Sequence, residues 1–129
     1  MKISLKEPAR KFEVGHEKKF HLSDCGTISM EPYEQVTFVT EKGGEYDVTR
    51  QPWGFYATPS LNGRLASFNL RSVLVKNRER RFFVLLVERG KEKGFEEYVA
   101  QEQLRIITWL DSSEALEHLE ASIGESPSP

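Results

Sequence analysis

Residues 53–64 hold the densest group of side chains in this chain that could bind a small molecule. The segment reads Trp-Gly-Phe-Tyr-Ala-Thr-Pro-Ser-Leu-Asn-Gly-Arg and combines aromatic rings with hydroxyl, amide and guanidinium groups. Sugars and sugar nucleotides need such pairs, because their rings have apolar C–H faces edged by hydroxyls. We therefore expect a sugar-bearing or phosphate-bearing small molecule as the ligand. The predicted ligand-binding residues are Arg50, Trp53, Tyr56, Thr58, Ser60, Asn62 and Arg64.

The same segment also has a purely structural interpretation. Trp53 and Phe55 could lie on one face of a strand and Tyr56 on the other, with all three rings used in packing. Residues 59–63 could then be an ordinary turn, since Asn-Gly is the strongest dipeptide signal for one.

The histidines do not have the spacing of a metal site. His16 and His21 are five residues apart, which would place them on opposite faces of one strand, and two lysines lie between them. His118 is the third histidine and lies far along the chain. The sequence therefore predicts neither a bound metal nor another cofactor.

Catalytic motifs are missing from the sequence as well. It contains no Gly-x-Ser-x-Gly element and no phosphate-binding glycine loop. In its meander and length the chain is similar to cupins, which are jelly-roll barrels, but it has no His-x-His pair of the kind that metal-binding cupins carry. That resemblance implies a non-metal enzyme using acid/base catalysis, with residues such as Tyr46, Asp47 or His21. It is an alternative to simple ligand binding.

Composition sets limits on the class of protein. The chain has 129 residues, 38% of them hydrophobic and 29% charged, which is ordinary for one folded domain. We expect that domain over residues 1–124 and a disordered tail over 125–129. The formal net charge of −2 gives no overall attraction to nucleic acid.

The same composition bears on cellular location. The longest apolar run, 82–87, is far shorter than the roughly 20 residues that a membrane-spanning helix needs. Residues 1–8 lack the features of a signal peptide. The single cysteine, Cys25, excludes an internal disulfide and suits a reducing compartment. These features predict a cytoplasmic protein that does not enter a membrane.

Charge is unevenly distributed along the chain. In residues 64–81 every charged side chain is basic except that of Glu79. In residues 96–125 every charged side chain is acidic except that of Arg105. Such patches could match between subunits, which makes a protein-interaction or assembly module, including a homo-oligomer, the second hypothesis. The cations could equally be ordinary solubilising surface. They are Arg64, Arg71, Lys76, Arg78, Arg80 and Arg81.

An antiparallel β meander is predicted for the first two-thirds of the chain. Turn signals recur at short intervals between segments rich in Val, Thr, Phe and Tyr, and the meander could close as a barrel or a jelly roll. Residues 81–87 are apolar after the first position, so this strand should lie in the middle of a sheet with cover on both faces. The predicted strands are 27–30, 35–40, 45–49, 53–58, 70–75 and 81–87.

A helix–strand–helix pattern follows Gly90 and completes an α+β fold. Apolar residues of 91–103 recur at helical spacing. Residues 104–110 are β-branched and aromatic and predict a strand, although a continued helix would also align their apolar side chains. Asp111 precedes Glu114 by three positions, which predicts a capped helix start, and Gly124 ends that helix.

Overall fold

The computed structural model describes residues 1–57 and 59–124. These residues form three separate antiparallel sheets and three helices, which confirms the predicted α+β class. The described strands pair as open sheets and do not close into a barrel or a jelly roll. None of the helices in this part of the chain has both the length and the apolar character needed to cross a membrane.

The first sheet is a long hairpin of β1 (Lys2–Val14) and β2 (Phe20–Ser29). The predicted strand 27–30 is therefore the end of a much longer one. Opposite residues in the hairpin have matching chemistry, with Ile3 across from Ile28 and Ser4 across from Thr27. Because facing residues of an antiparallel pair share one side, the hairpin has one apolar face and one polar face.

The second sheet contains β3 (Gln35–Val39), β4 (Glu45–Gln51) and β5 (Gly54–Tyr56) in that order. The predicted strands 35–40 and 45–49 are confirmed. Gly43 has a φ of 94° in the turn that joins them, a conformation that glycine adopts without strain. The strand predicted over 53–58 is only three residues long, because Pro52 and the following turn delay its start.

The third sheet has the order β7 (Phe82–Glu88), β6 (Leu70–Lys76), β8 (Arg105–Trp109). The predicted hairpin is confirmed, and residues 104–110 do form a strand. The expectation that the strand over 81–87 is central was wrong, because β6 lies in the middle and β7 at an edge. An apolar run indicates that a strand needs cover, but it does not specify which neighbours the strand takes.

The core lies on one face of the third sheet. Val73 and Val75 of β6 have no exposed surface there, and Val87 packs beside them. Phe95 of α2 (Glu92–Gln101) covers these valines together with Trp109, and the two rings meet edge to face at 5.8 Å. The predicted helix over 91–103 is therefore confirmed, and its apolar side chains anchor it to the sheet.

Asn62 and Gly63 do lie in a turn, but the turn does not lead directly into a strand. It opens the one-turn helix α1 (Arg64–Ser67), and β6 begins after that. Leu65 of α1 is completely buried. The apolar Leu65 therefore holds this turn against the neighbouring β6, a tertiary contact that local turn signals do not report.

The last helix, α3 (Ser113–Ile123), is present and Gly124 follows its final residue. Its predicted N-cap was wrong by one position. Ser112 is the cap, with its hydroxyl accepting a hydrogen bond from the amide of Ala115 at 2.9 Å. Asp111 instead accepts a hydrogen bond from Nε of Arg71 at 2.6 Å, a stronger, charge-assisted interaction.

Candidate functional site

Three of the predicted ligand-binding residues line one small cleft. Tyr56, Ser60 and Arg64 surround a space of about 140 Å³, together with Asp47 and other residues of the second sheet. Ligand pockets usually measure roughly 300–1,000 Å³, so this cleft is small for an organic ligand.

The charges of this cleft are matched internally. Nη2 of Arg64 lies 3.1 Å from Oδ2 of Asp47, whose other oxygen accepts a hydrogen bond from the hydroxyl of Thr37 at 2.7 Å. The hydroxyl of Ser60 accepts a hydrogen bond from the backbone amide of Arg64 at 2.7 Å. The side chains of Arg64 and Ser60 therefore already have hydrogen-bond partners within the protein.

The remaining predicted residues do not line this cleft. Trp53 lies in the turn before β5 and is 72% exposed. Asn62 donates a hydrogen bond to the hydroxyl of Ser113 at 3.0 Å, which ties its loop to α3. The guanidinium of Arg50 lies 6.0 Å from the centroid of the Phe55 ring. Thr58 falls outside the described residues.

The proposed acid and base residues are also separated by the fold. Tyr46 and Asp47 are neighbours on β4 and so point to opposite faces, and Tyr46 stacks on Phe38. His21 lies on β2 in the other hairpin, where Nδ1 is 3.5 Å from a carboxylate oxygen of Glu13. In residues 1–57 and 59–124, no three His, Cys, Asp or Glu side chains are grouped to hold a metal ion.

The most unusual surface of the molecule is the apolar side of the first hairpin, which we call the hairpin face. Alternation along β2 places its large apolar residues on this side, together with Asp24 and Gly26, and mainly polar residues on the other. Ile3 and Leu5 are 59% and 65% exposed, which is high for residues at the apolar positions of a sheet. The hairpin face consists of Ile3, Leu5, Phe12, Val14, Phe20, Leu22 and Ile28.

A small charged group lies in the middle of the hairpin face. Asp24 is on the same side of β2 as the apolar residues, and its carboxylate lies 2.6 Å from Nζ of Lys6 and 3.5 Å from Nε of Arg10. The hydrogen bond from Lys6 is the main cause that holds the pKa of Asp24 below its usual range. Apolar residues therefore flank a charged centre at both ends of the hairpin.

The hairpin is attached to the rest of the chain near its tip and at its N-terminal end. The Phe20 ring lies 5.8 Å from that of Tyr98 on α2, and the backbone amide of His16 donates a hydrogen bond to Glu102 at 2.9 Å. The amino group of Met1 lies 3.0 Å from a carboxylate oxygen of Glu34. These attachments fix the hairpin while most of its apolar side remains open.

A second feature is a groove of about 620 Å³ beside the tip of the β1–β2 hairpin. No local sequence pattern predicts this groove, because its lining comes from three separate parts of the chain. For Arg78 the sequence left open an interaction patch or ordinary solubilising surface, and for His16 it predicted no metal site. The lining consists of Gly15, His16, Val75, Asn77, Arg78, Glu79, Phe83, Leu85, Tyr98, Glu102 and Leu104.

Comparisons with known proteins do not assign this chain to a family. No protein-family model matches it, and neither the curated proteins nor the solved structures include a significant match.

Proposed function

We propose that this chain is an assembly module that associates with a second copy of itself through the hairpin face. The observation that carries the proposal is the division of the hairpin into a polar side and a mainly apolar side, the latter largely exposed. An isolated two-stranded hairpin is at best marginally stable in water, because it buries too little apolar surface. Cover by another chain would supply the missing burial.

The exposed area of the chain supports the same conclusion. Its accessible surface is 9531 Å², whereas a compact monomer of 14.9 kDa exposes about 7,000 Å². A typical stable interface buries about 800 Å² on each partner. The surplus of about 2,500 Å² is therefore larger than one such interface needs.

A second copy fits the arrangement of apolar residues on this surface. A two-fold axis through the middle of the hairpin face would place the apolar ends of one copy against those of the other, with the charged centres near the axis. Each Asp24 would then lie close to Lys6 and Arg10 of the other copy, and the flanking apolar residues would meet across the axis. Two sheets stacked face to face are separated by about 10 Å, a spacing that such side chains fill.

The test compares two neighbouring residues of β2 that point to opposite sides. Ile28→Glu places a carboxylate on the hairpin face, and we expect it to weaken self-association by about 2–4 kcal/mol, as for an apolar anchor residue of an interface. Thr27→Glu adds the same charge to the polar face and should leave the association unchanged. Size-exclusion chromatography with light scattering measures the mass of each variant, and circular dichroism checks that both are folded.

Salt dependence distinguishes this interface from one made by complementary charged patches. Association through apolar contacts should persist at high salt, whereas association through exposed charges should weaken. A folded wild-type chain that stays monomeric at every salt and protein concentration would falsify the proposal. If the wild type is a dimer and Ile28→Glu and Thr27→Glu both keep its mass, the interface lies on another surface of the chain.

A second candidate function is the binding of a polar ligand, such as a sugar or a sugar nucleotide, through the 53–64 segment, with one polar group of the ligand entering the small cleft. It is favoured by the position of Tyr56, Ser60 and Arg64 around one cleft. If a sugar or a sugar nucleotide binds the wild type, loss of that binding in Arg64→Ala would support this function. Unchanged binding in Arg64→Ala would exclude the cleft as the site. We place either function in the cytoplasm.

A further inference from the structure

The groove beside the tip of the β1–β2 hairpin has the size of a ligand site and shares no lining residue with the hairpin face. Its volume of about 620 Å³ lies within the usual range of roughly 300–1,000 Å³ for small-molecule pockets. One chain supplies the whole lining, from the β1–β2 turn, the β6–β7 hairpin and the end of α2.

The inner part of the groove is apolar and holds two accessible aromatic rings. Leu85 and Leu104 line it above Val75, which is completely buried. Phe83 is 45% exposed and Tyr98 is 38% exposed, so both present ring surface to a ligand. Phe20 packs against Tyr98 and restrains that ring. A partly exposed ring that is held in place can stack on an apolar ligand face at little entropic cost.

The rim of the groove is polar and organised by hydrogen bonds. Nη1 of Arg78 lies 3.0 Å from Nε2 of His16. Because a guanidinium only donates hydrogen bonds, this nitrogen of His16 must be the acceptor. The side-chain oxygen of Asn77 accepts hydrogen bonds from the amides of Glu79 and Arg81 and so fixes the tip that carries Arg78. Arg78 is left with further donors that can bind a ligand.

The charges on the rim are of both signs, which limits the kind of ligand. Arg78 is the fixed cation of the lining, whereas Glu79 and Glu102 are carboxylates. Two carboxylates would repel a phosphate or another polyanion. The same groups suit hydroxyls, because a hydroxyl can donate to a carboxylate and accept from a guanidinium.

From the combination of two accessible rings, one of them restrained, with carboxylate acceptors and an arginine donor, we infer that the groove binds a neutral sugar of one or two rings. The apolar C–H face of the sugar stacks on Tyr98 or Phe83. Its hydroxyls donate to Glu102 and Glu79 and accept from Arg78. This site lies apart from the cleft of Tyr56, Ser60 and Arg64 and shares no lining residue with it.

The experiment is a calorimetric titration of the full chain with a panel of neutral sugars: glucose, galactose, mannose, N-acetylglucosamine, maltose and lactose. We expect at least one to bind the wild type. Glu102→Gln and Arg78→Ala should each weaken that binding by about tenfold or more, which corresponds to the loss of one charge-assisted hydrogen bond. Glu97→Gln, an exposed carboxylate on the same helix that does not line the groove, is the matched control and should bind like the wild type.

The possible outcomes separate this site from the other proposals. If no sugar of the panel binds, if inorganic phosphate binds instead, or if Glu102→Gln and Arg78→Ala leave sugar affinity unchanged, the inference is wrong. Loss of sugar binding in Arg64→Ala alone would transfer the ligand to the small cleft and also overturn it. Wild-type affinity in Ile28→Glu would show that sugar binding does not depend on self-association, as we expect.

Discussion

At the scale of single residues, Glu88 shows how the second and third sheets are joined. Its side chain is only 8% exposed. One carboxylate oxygen accepts a hydrogen bond from the hydroxyl of Thr40, and the other lies 3.0 Å from Nζ of Lys91. Gly44 is buried beside it, and a Cβ there would come within 2.9 Å of the carboxylate. The absence of a side chain at Gly44 therefore makes room for this contact.

This carboxylate should make stability depend on pH. The hydrogen bond from Thr40 and then that from Lys91 hold the pKa of Glu88 below its usual range. The unfolded chain therefore binds this proton at a higher pH than the folded chain does. The stability that Glu88 contributes is present at neutral pH and is lost as the pH falls through its folded pKa.

We expect Glu88→Gln to lower the free energy of unfolding at about pH 7 and to reduce its fall between about pH 5 and pH 3. Urea unfolding at several pH values measures both effects. Glu96→Gln, which changes an exposed carboxylate on α2, is the control and should follow the wild-type profile. Parallel profiles for Glu88→Gln and the wild type would contradict the linkage.

Residue roles were the hardest part to predict from the sequence. Asp111 has the spacing of a helix cap, yet it pairs with Arg71, whose guanidinium also lies 3.2 Å from Glu92 and 4.0 Å from the Trp109 ring centroid. The hydrogen bond with Asp111 is the main cause that raises the pKa of Arg71. These partners are distant in sequence, so no local spacing could indicate them.

At the scale of elements, prediction succeeded where a local pattern decides the structure. The β6–β7 hairpin and α2 were predicted because hydrophobic spacing fixes the element type over a short window. β1 gives a weaker signal, because its pairing with β2 shifts register between Leu5 and Arg10 and the alternation is interrupted there. The edge position of β7 depends on which other strand pairs with β6. That pairing joins residues far apart in sequence, so no local pattern predicts it.

The start of α3 provides a direct test at this scale. Ser112→Ala removes the hydroxyl that accepts from the amide of Ala115 and should destabilise the protein by about 1 kcal/mol. Ser113→Ala, one position further along, is the matched control for loss of a hydroxyl from the same turn. It also removes the acceptor for Asn62, so its effect measures the exposed loop contact alone. Chemical denaturation of both variants should give the larger loss for Ser112→Ala.

At the scale of the whole molecule, the predicted charge separation is partly neutralised inside the fold. Arg71 pairs with acids of the C-terminal third, and Arg64 pairs with Asp47. The surface that remains available for recognition is the apolar hairpin face. In the sequence it corresponds to the alternation of apolar and polar residues along β2. Alternation identifies an amphipathic strand, but only the fold shows that residues 1–57 and 59–124 leave most of its apolar side exposed.

Self-association through this surface should make thermal stability depend on concentration. Because unfolding of a dimer releases two chains, mass action raises the unfolding midpoint by about 2–3 °C for each tenfold rise in concentration. Differential scanning calorimetry over a hundredfold range measures this shift. The midpoint of Ile28→Glu should stay constant, and a constant midpoint for the wild type would argue for a monomer.

β7 is an edge strand, and the turn that precedes it, at the tip of the β6–β7 hairpin, is basic. Phe82, Phe83 and Val84 are exposed at the start of this strand, where its outer backbone groups could template the addition of further chains. Arg80 and Arg81 come directly before them, and Nζ of Lys76 lies 5.2 Å from the Phe82 ring centroid. Like charges on every copy repel one another when two such edges approach. We therefore expect these cations to oppose edge-to-edge aggregation through β7.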